Sequence, residues 1–269
     1  MSVLTEPAVR LVAGVVGAVG IPAIARRAGA LTSGGAVAAA FVGGAAIAAG
    51  WSWAALLILY FTASTAVTRW RATFKATRMG AVVRKGGARD AVQGFANGAG
   101  VFVASLWAAA GHAEQARWCL ALGAGSLAAS AADTWATEIG VAAGRAPRSV
   151  LTWRPVPAGT SGGVSLAGSA ASVAGAACVA AFALLAGWPR AVALSAVAGG
   201  VAGSFADSVL GATLQARRWC PACDLPTEQR EHRCGTVTRL VGGAAWIDND
   251  AVNLIAGLAG GLFAAALVA

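Results

Sequence analysis

Apolar runs of membrane-crossing length recur along almost the whole chain, and no water-soluble core has room for so many. They are Ala8–Ala25, Leu31–Ala49, Trp51–Val67, Ala91–Ala110, Ala116–Gly144, Val164–Gly187, Ala191–Leu214 and Asp248–Ala269. A helix needs about 20 predominantly apolar residues to cross the hydrocarbon layer. The pattern predicts an all-α, polytopic membrane protein of about eight transmembrane helices, forming a single transmembrane domain over residues 1–269. Only 12% of residues are charged, against about 25% in soluble domains. The abundance of alanine and glycine suits closely packed helices. No basic segment precedes the first run, so no cleaved signal peptide is expected. Trp51 and Trp53 stand where interfacial anchors usually do.

The charges between the runs orient the chain. With the N-terminus outside, cytosolic loops hold seventeen of the twenty basic residues; only Arg10, Arg117 and Arg190 fall on the other side. That asymmetry is the positive-inside pattern; the expected location is a bacterial-type plasma membrane. A net charge of +9 spread over such loops argues for a lipid bilayer as partner and against nucleic acid. Residues 69–90 form a basic cytosolic loop, and residues 215–238 a small cytosolic loop rich in cysteine. Five scattered cysteines fit a reducing compartment better than a disulfide framework.

Several acids interrupt the apolar runs. Asp133 and Glu138 lie in the fifth run and Asp207 in the seventh, while Asp248, Asn249, Asp250 and Asn253 open the eighth. In the expected topology all of them, with Asn97 near the start of the fourth run, gather at the cytosolic side. Intramembrane acids cost several kcal/mol unless they are compensated. Mg²⁺ takes oxygen ligands and commonly bridges one or two carboxylates to substrate phosphates. Asp133, Glu138, Asp207, Asp248 and Asp250 could supply such ligands; ion pairing with loop arginines is the competing role. Asp133 and Glu138 are five apart, roughly 140° around an ideal helix. Either the helix distorts between them or one alone is a ligand, in which case Asp133 is preferred. Asp248 is equally suited to be a helix N-cap.

Three further features accompany the acids. Gly159–Gly168 is a glycine-rich turn entering a helix, where exposed N–H groups suit phosphate; it lacks the Gly-Lys-Ser/Thr of a Walker A loop. In the basic loop, Arg69, Arg71 and Lys75 lie nearest the membrane and are candidates for phosphate contact. Cys220, Cys223, His232 and Cys234 form Cys-x2-Cys followed by His-x-Cys, a spacing that suits a structural, tetrahedral Zn²⁺, with a redox pair or reduced thiols as the alternative.

Taken together, Ala132–Gly140, Pro155–Ser165, Asp207–Gln215 and Trp246–Asn253, with Ala91–Gly98 and the cysteine loop, resemble the integral membrane family that includes plant phytyl-phosphate kinase. The resemblance runs in order from about Thr68 to the end. It implies a membrane prenyl-phosphate kinase that converts an isoprenoid monophosphate, phytyl- or geranylgeranyl-phosphate-like, to the diphosphate. The implied donor is a nucleoside triphosphate, CTP by analogy or ATP, with Mg²⁺. Asp133, Glu138 and Asp207 would hold the metal, with Asp250 supporting, Gly162, Gly163 and Ser165 would cradle phosphates, and Asn97 and Asn253 would orient them. The family pattern often has asparagine where this chain has Ser161. Glycine-rich helices bearing acids also occur in ion-coupled transporters, which is the rival class; crowding of the acids on one side favours the enzyme.

Overall fold

The computed structural model describes residues 7–79, 88–111 and 116–269. Arg84 and Lys85 of the basic loop lie outside the described residues. All eight apolar runs form helices: α1 (Pro7–Arg27), α2 (Ser33–Ala49), α3 (Trp51–Arg69), α5 (Ala91–Ala109), α6 (Ala116–Ala142), α7 (Leu166–Leu185), α8 (Arg190–Thr213) and α9 (Asn249–Ala266). Four of them, α3, α7, α8 and α9, are long and apolar enough by length and composition to cross a membrane. Helix α2, at 17 residues, is shorter. Gln93 and Asn97 dilute α5, and Asp133 with several serines and glycines dilutes α6.

Local chemistry sets the helix starts. Thr32 caps α2 through Gly35 N–H at 3.1 Å, and Asp90 caps α5 in a reciprocal capping box with Gln93. Ser165 caps α7, and Asp248 caps α9 by accepting from Asp250 and Ala251 N–H. Each cap satisfies N–H groups that the first helical turn leaves unpaired.

Helix α6 is the hub, packed by α7, α8 and α9 and, less extensively, by α5 and α3. Every residue from Ala121 to Ala132 is buried, as expected for a helix enclosed on all sides. Small residues permit the close approach. A side chain at Gly175 would come within 2.8 Å of Ala131 O on α6, and one at Gly203 within 2.9 Å of Ala256 O on α9. Trp53 departs from the interfacial position expected of it. It is buried, packs over Gly123 and meets Trp188 edge-on at 4.9 Å. Trp51 remains 44% exposed.

The polar segments are more structured than loops. The basic segment contains α4 (Ala72–Met79), whose Lys75 is almost wholly buried. Strands β1 (Arg148–Ser149) and β2 (Gly163–Val164) pair antiparallel. Residues 215–242 build a three-stranded antiparallel sheet, β4–β3–β5, from β3 (Arg217–Cys220), β4 (Leu225–Thr227) and β5 (Arg239–Gly242). The polar segments gather at one end of the bundle. The α1–α2 turn meets the start of α5 through Thr32 N–H to Arg89 O and Arg89 N–H to Ala30 O, both 3.0 Å. Arg71 reaches Ala142 O at the end of α6 at 3.1 Å.

Candidate functional site

A cavity of about 1020 Å³ opens at this end. The N-termini of α5, α7 and α9 all border it, through Asp90, Gln93 and Asn97, through Ser165, Gly168 and Ser169, and through Asp248, Asp250 and Asn253. The C-terminal halves of α6 and α8 complete the wall with Asp133, Thr134, Thr137 and Glu138 and with Ser204, Asp207 and Ser208. Helix N-termini carry partial positive charge, and here Asp90, Ser165 and Asp248 occupy part of the first-turn N–H groups. Three such termini converging beside a carboxylate pair make the cavity suited to phosphate together with a cation.

Asp133 and Asp207 meet across the α6–α8 interface, close enough to hydrogen-bond. Two facing carboxyl groups cannot both carry full charge without a shared proton or a cation between them. The Oδ2 of Asp207 is buried without a hydrogen-bond partner, so an acceptor stands ready for such a cation. Two protein carboxylates, with phosphates and water supplying the rest, match the usual coordination of Mg²⁺.

Glu138 lines the same cavity, but its carboxylate is ion-paired with Lys75. Lys75 also donates to Val67 O at 2.9 Å and Thr68 O at 2.8 Å. That lysine thus ties the end of α3 to α6 and compensates one of the two acids of α6. Helix α6 runs unbroken through both. Among the described residues, Asp133, Glu138 and Asp207 do not form a three-carboxylate group at ligand spacing.

The glycine-rich turn packs against α8. Gly162 has a φ of +77°, and a side chain there would come within 2.8 Å of Ser208 O and overlap Ala212. The turn therefore requires glycine on both conformational and steric grounds. Gly163 N–H closes the turn on Thr160 O at 3.0 Å, and the Ser165 hydroxyl accepts from Gly168 N–H at 3.1 Å. The Ser161 hydroxyl donates to Glu228 Oε1, linking the turn to the segment that follows β4. Asn97 donates to Gln93 O at 3.0 Å, and its own carbonyl accepts from Ser130 at 3.3 Å. Asp248 acts as the α9 cap.

The cations at the cavity are not those nearest the membrane in sequence. Arg89, Arg145, Arg218 and Arg230 line it. Arg69 instead binds Ala28 O, Arg71 stacks over Phe74 at 4.5 Å, and Lys75 serves Glu138. Arg89 directly precedes the α5 cap Asp90, a position that could have singled it out. Arg218, Glu228 and Arg230 reach the cavity only because the sheet folds back over it.

Beside that sheet, Cys220, Cys223, His232 and Cys234 bring one ligand atom each to within 4.8 Å of one another. The Cys220 and Cys234 sulfurs are 3.6 Å apart, and His232 Nδ1 lies 3.3 Å from Cys234 Sγ. A Zn–S distance of about 2.3 Å gives a tetrahedral S–S edge of about 3.8 Å, so the constellation fits zinc. Hydrogen bonding to Thr236, then to His232, lowers the Cys234 thiol to about 6, while hydrogen bonding to Cys234 and desolvation push Cys223 up to about 11.

The fold and this one-sided polar cavity define the class: a helical integral membrane protein with a site at one end of its bundle. The chain belongs to the family described as integral membrane protein DUF92, which it matches over residues 16–261. It is 30% identical to Protein PGR of Arabidopsis thaliana over 231 residues, 77% of this chain and 78% of that protein. It is 35% identical over 98 residues to an uncharacterized membrane protein of Methanocaldococcus jannaschii, 36% of this chain and 41% of the relative. No solved structure matches the chain.

Proposed function

We propose that the protein is a membrane kinase that transfers a phosphoryl group from a nucleoside triphosphate, CTP or ATP, to an isoprenoid monophosphate. One observation carries this reading: the Asp133–Asp207 pair, with a buried unpartnered oxygen, shares a cavity with three helix N-termini. An oxygen of the lipid monophosphate attacks the terminal phosphorus of the nucleotide. A P–O bond forms, the bond to the bridging oxygen breaks, and the nucleoside diphosphate leaves. Such a transfer relies on positioning and charge stabilisation more than on a side-chain nucleophile.

Asp133 and Asp207 would hold Mg²⁺, which when bound supplies charge neutralisation on phosphate oxygens. Arg89, Arg145, Arg218 and Arg230 contribute positive charge around the phosphates, and the α7 N-terminus donates N–H groups. Gly162 brings the turn close to α8, and Asn97 and Asn253 orient the phosphates. In this reading all eight long helices span the bilayer, the N-terminus lies outside, and the cavity faces the cytosol. Cys220, Cys223, His232 and Cys234 hold a structural zinc that fixes the sheet over the cavity.

The test is direct. Purified protein with Mg²⁺ and CTP or ATP labelled at the terminal phosphate should yield labelled diphosphate from phytyl, geranylgeranyl or shorter prenyl monophosphates. No turnover with any combination overturns the kinase reading. Ion-driven solute uptake by liposomes holding the protein would instead favour the carrier class.

A further inference from the structure

The cavity does not end at the polar groups. It continues between α7 and α8, where its wall changes character with depth. On α7 the lining runs Ser165, Ser169, Ser172, Val173, and on α8 Ser208, Ser204, Phe205, Val201. These spacings of three and four keep each set on one helix face. Val173 lies eight residues beyond the α7 cap and Phe205 eight residues before the end of α8. Both are therefore about 12 Å inside the helix ends. Both are also exposed, Val173 48% and Phe205 62%. The same cavity thus borders Asp207 at one end and exposed apolar side chains at the other. A wall graded from carboxylate through serine to valine and phenylalanine complements an amphiphile with an anionic head and an apolar chain.

We propose that the cleft between α7 and α8 is a lateral portal that seats the isoprenoid chain of a lipid monophosphate, with Val173, Val201 and Phe205 setting its fit. The chain enters from the bilayer while the head group lies at the α7 N-terminus beside Asp207. The inference rests on the proposed function for the identity of that head group and for the isoprenoid nature of the chain. Apolar contact at these three positions removes the chain from competition with bulk lipid, and the neighbouring serines mark where the head begins.

Geranylgeranyl monophosphate bearing a terminal diazirine, photolysed with the full-length protein in nanodiscs, tests the portal. Peptides containing Val173, Val201 or Phe205 should carry the label. Unmodified geranylgeranyl monophosphate should suppress the labelling, and lysophosphatidate should not. Val201→Trp, which fills the cleft, should lower labelling and raise KM for geranylgeranyl monophosphate about tenfold with the nucleotide KM unchanged. Phe205→Ala, which opens the cleft, should shift preference towards longer chains and guards against misfolding of the tryptophan variant. Label confined to other helices, equal competition by lysophosphatidate, or variants that leave labelling and chain preference unchanged would overturn the portal. Labelling does not need turnover: a labelled cleft in a protein without kinase activity retains the portal and removes the kinase.

Discussion

The Lys75–Glu138 pair offers a quantitative test of how this chain tolerates charge inside its bundle. Lys75 is 2% and Glu138 16% exposed, and Lys75 additionally serves two carbonyls at the end of α3. Lys75→Met keeps the stem but strands a half-buried carboxylate and two carbonyl acceptors. Removing one partner of a buried pair costs about 3–5 kcal/mol. Glu138 borders the cavity and water can reach it, so a loss of about 3 kcal/mol is expected. Glu138→Gln in the Lys75→Met background removes the stranded charge and should recover at least about 1.5 kcal/mol, within the usual coupling of contacting residues. Unfolding of the detergent-solubilised protein, followed by the fluorescence of its ten tryptophans, gives both numbers. A single variant within about 0.5 kcal/mol of the parent, with no coupling in the double, would refute the assignment of Lys75 as the compensating charge.

Three other outcomes follow from the geometry. Gly162→Ala forces a side chain into a positive-φ position against α8 and should cost more than the roughly 1–2 kcal/mol of the conformational penalty alone, read by the same unfolding assay. Ser161→Ala removes a hydrogen bond to a charged group, worth about 1.5–3 kcal/mol, and should speed amide exchange across residues 159–165. Unchanged exchange in that variant would sever the proposed link between turn and sheet. Elemental analysis of protein purified without chelator should find one zinc per chain, and Cys220→Ser should lose it; zinc retained in that variant would place the metal elsewhere.

The eight helical runs were readable because span length and loop charge are properties of sequence alone. So was the gathering of Asp133, Asp207, the glycine-rich turn and the α9 acids at one end, since alternation of spans forces it. Which face each helix presents was not readable. In α6, alanine, glycine and serine line every side between Ala121 and Ala132, so no apolar stripe marks the direction of Asp133. Trp53 reads as an interfacial anchor from its place at a helix start, but Gly123 on α6 leaves room for it inside. The arginines were misjudged for a related reason. Distance along the chain from a helix end says nothing about a segment that folds back, as β3 and the stretch after β4 do when they bring Arg218, Glu228 and Arg230 to the cavity. The pairing of Lys75 with Glu138 was not readable because the burial of Lys75 depends on α4, a short helix inside a segment that composition marks only as basic.

Phosphorus NMR of geranylgeranyl monophosphate with CTP or ATP, Mg²⁺ and the purified protein, run beside Asp207→Asn, tests the central claim most directly. The account predicts that the monophosphate resonance gives way to those of the diphosphate and the spent nucleotide. It also predicts that Asp207→Asn slows the conversion by about 100-fold or more, at or beyond the 10–100-fold typical of losing a partner outside the metal's own ligands. A parent protein that forms no diphosphate, or an Asp207→Asn variant that forms it at the parent rate, would contradict it.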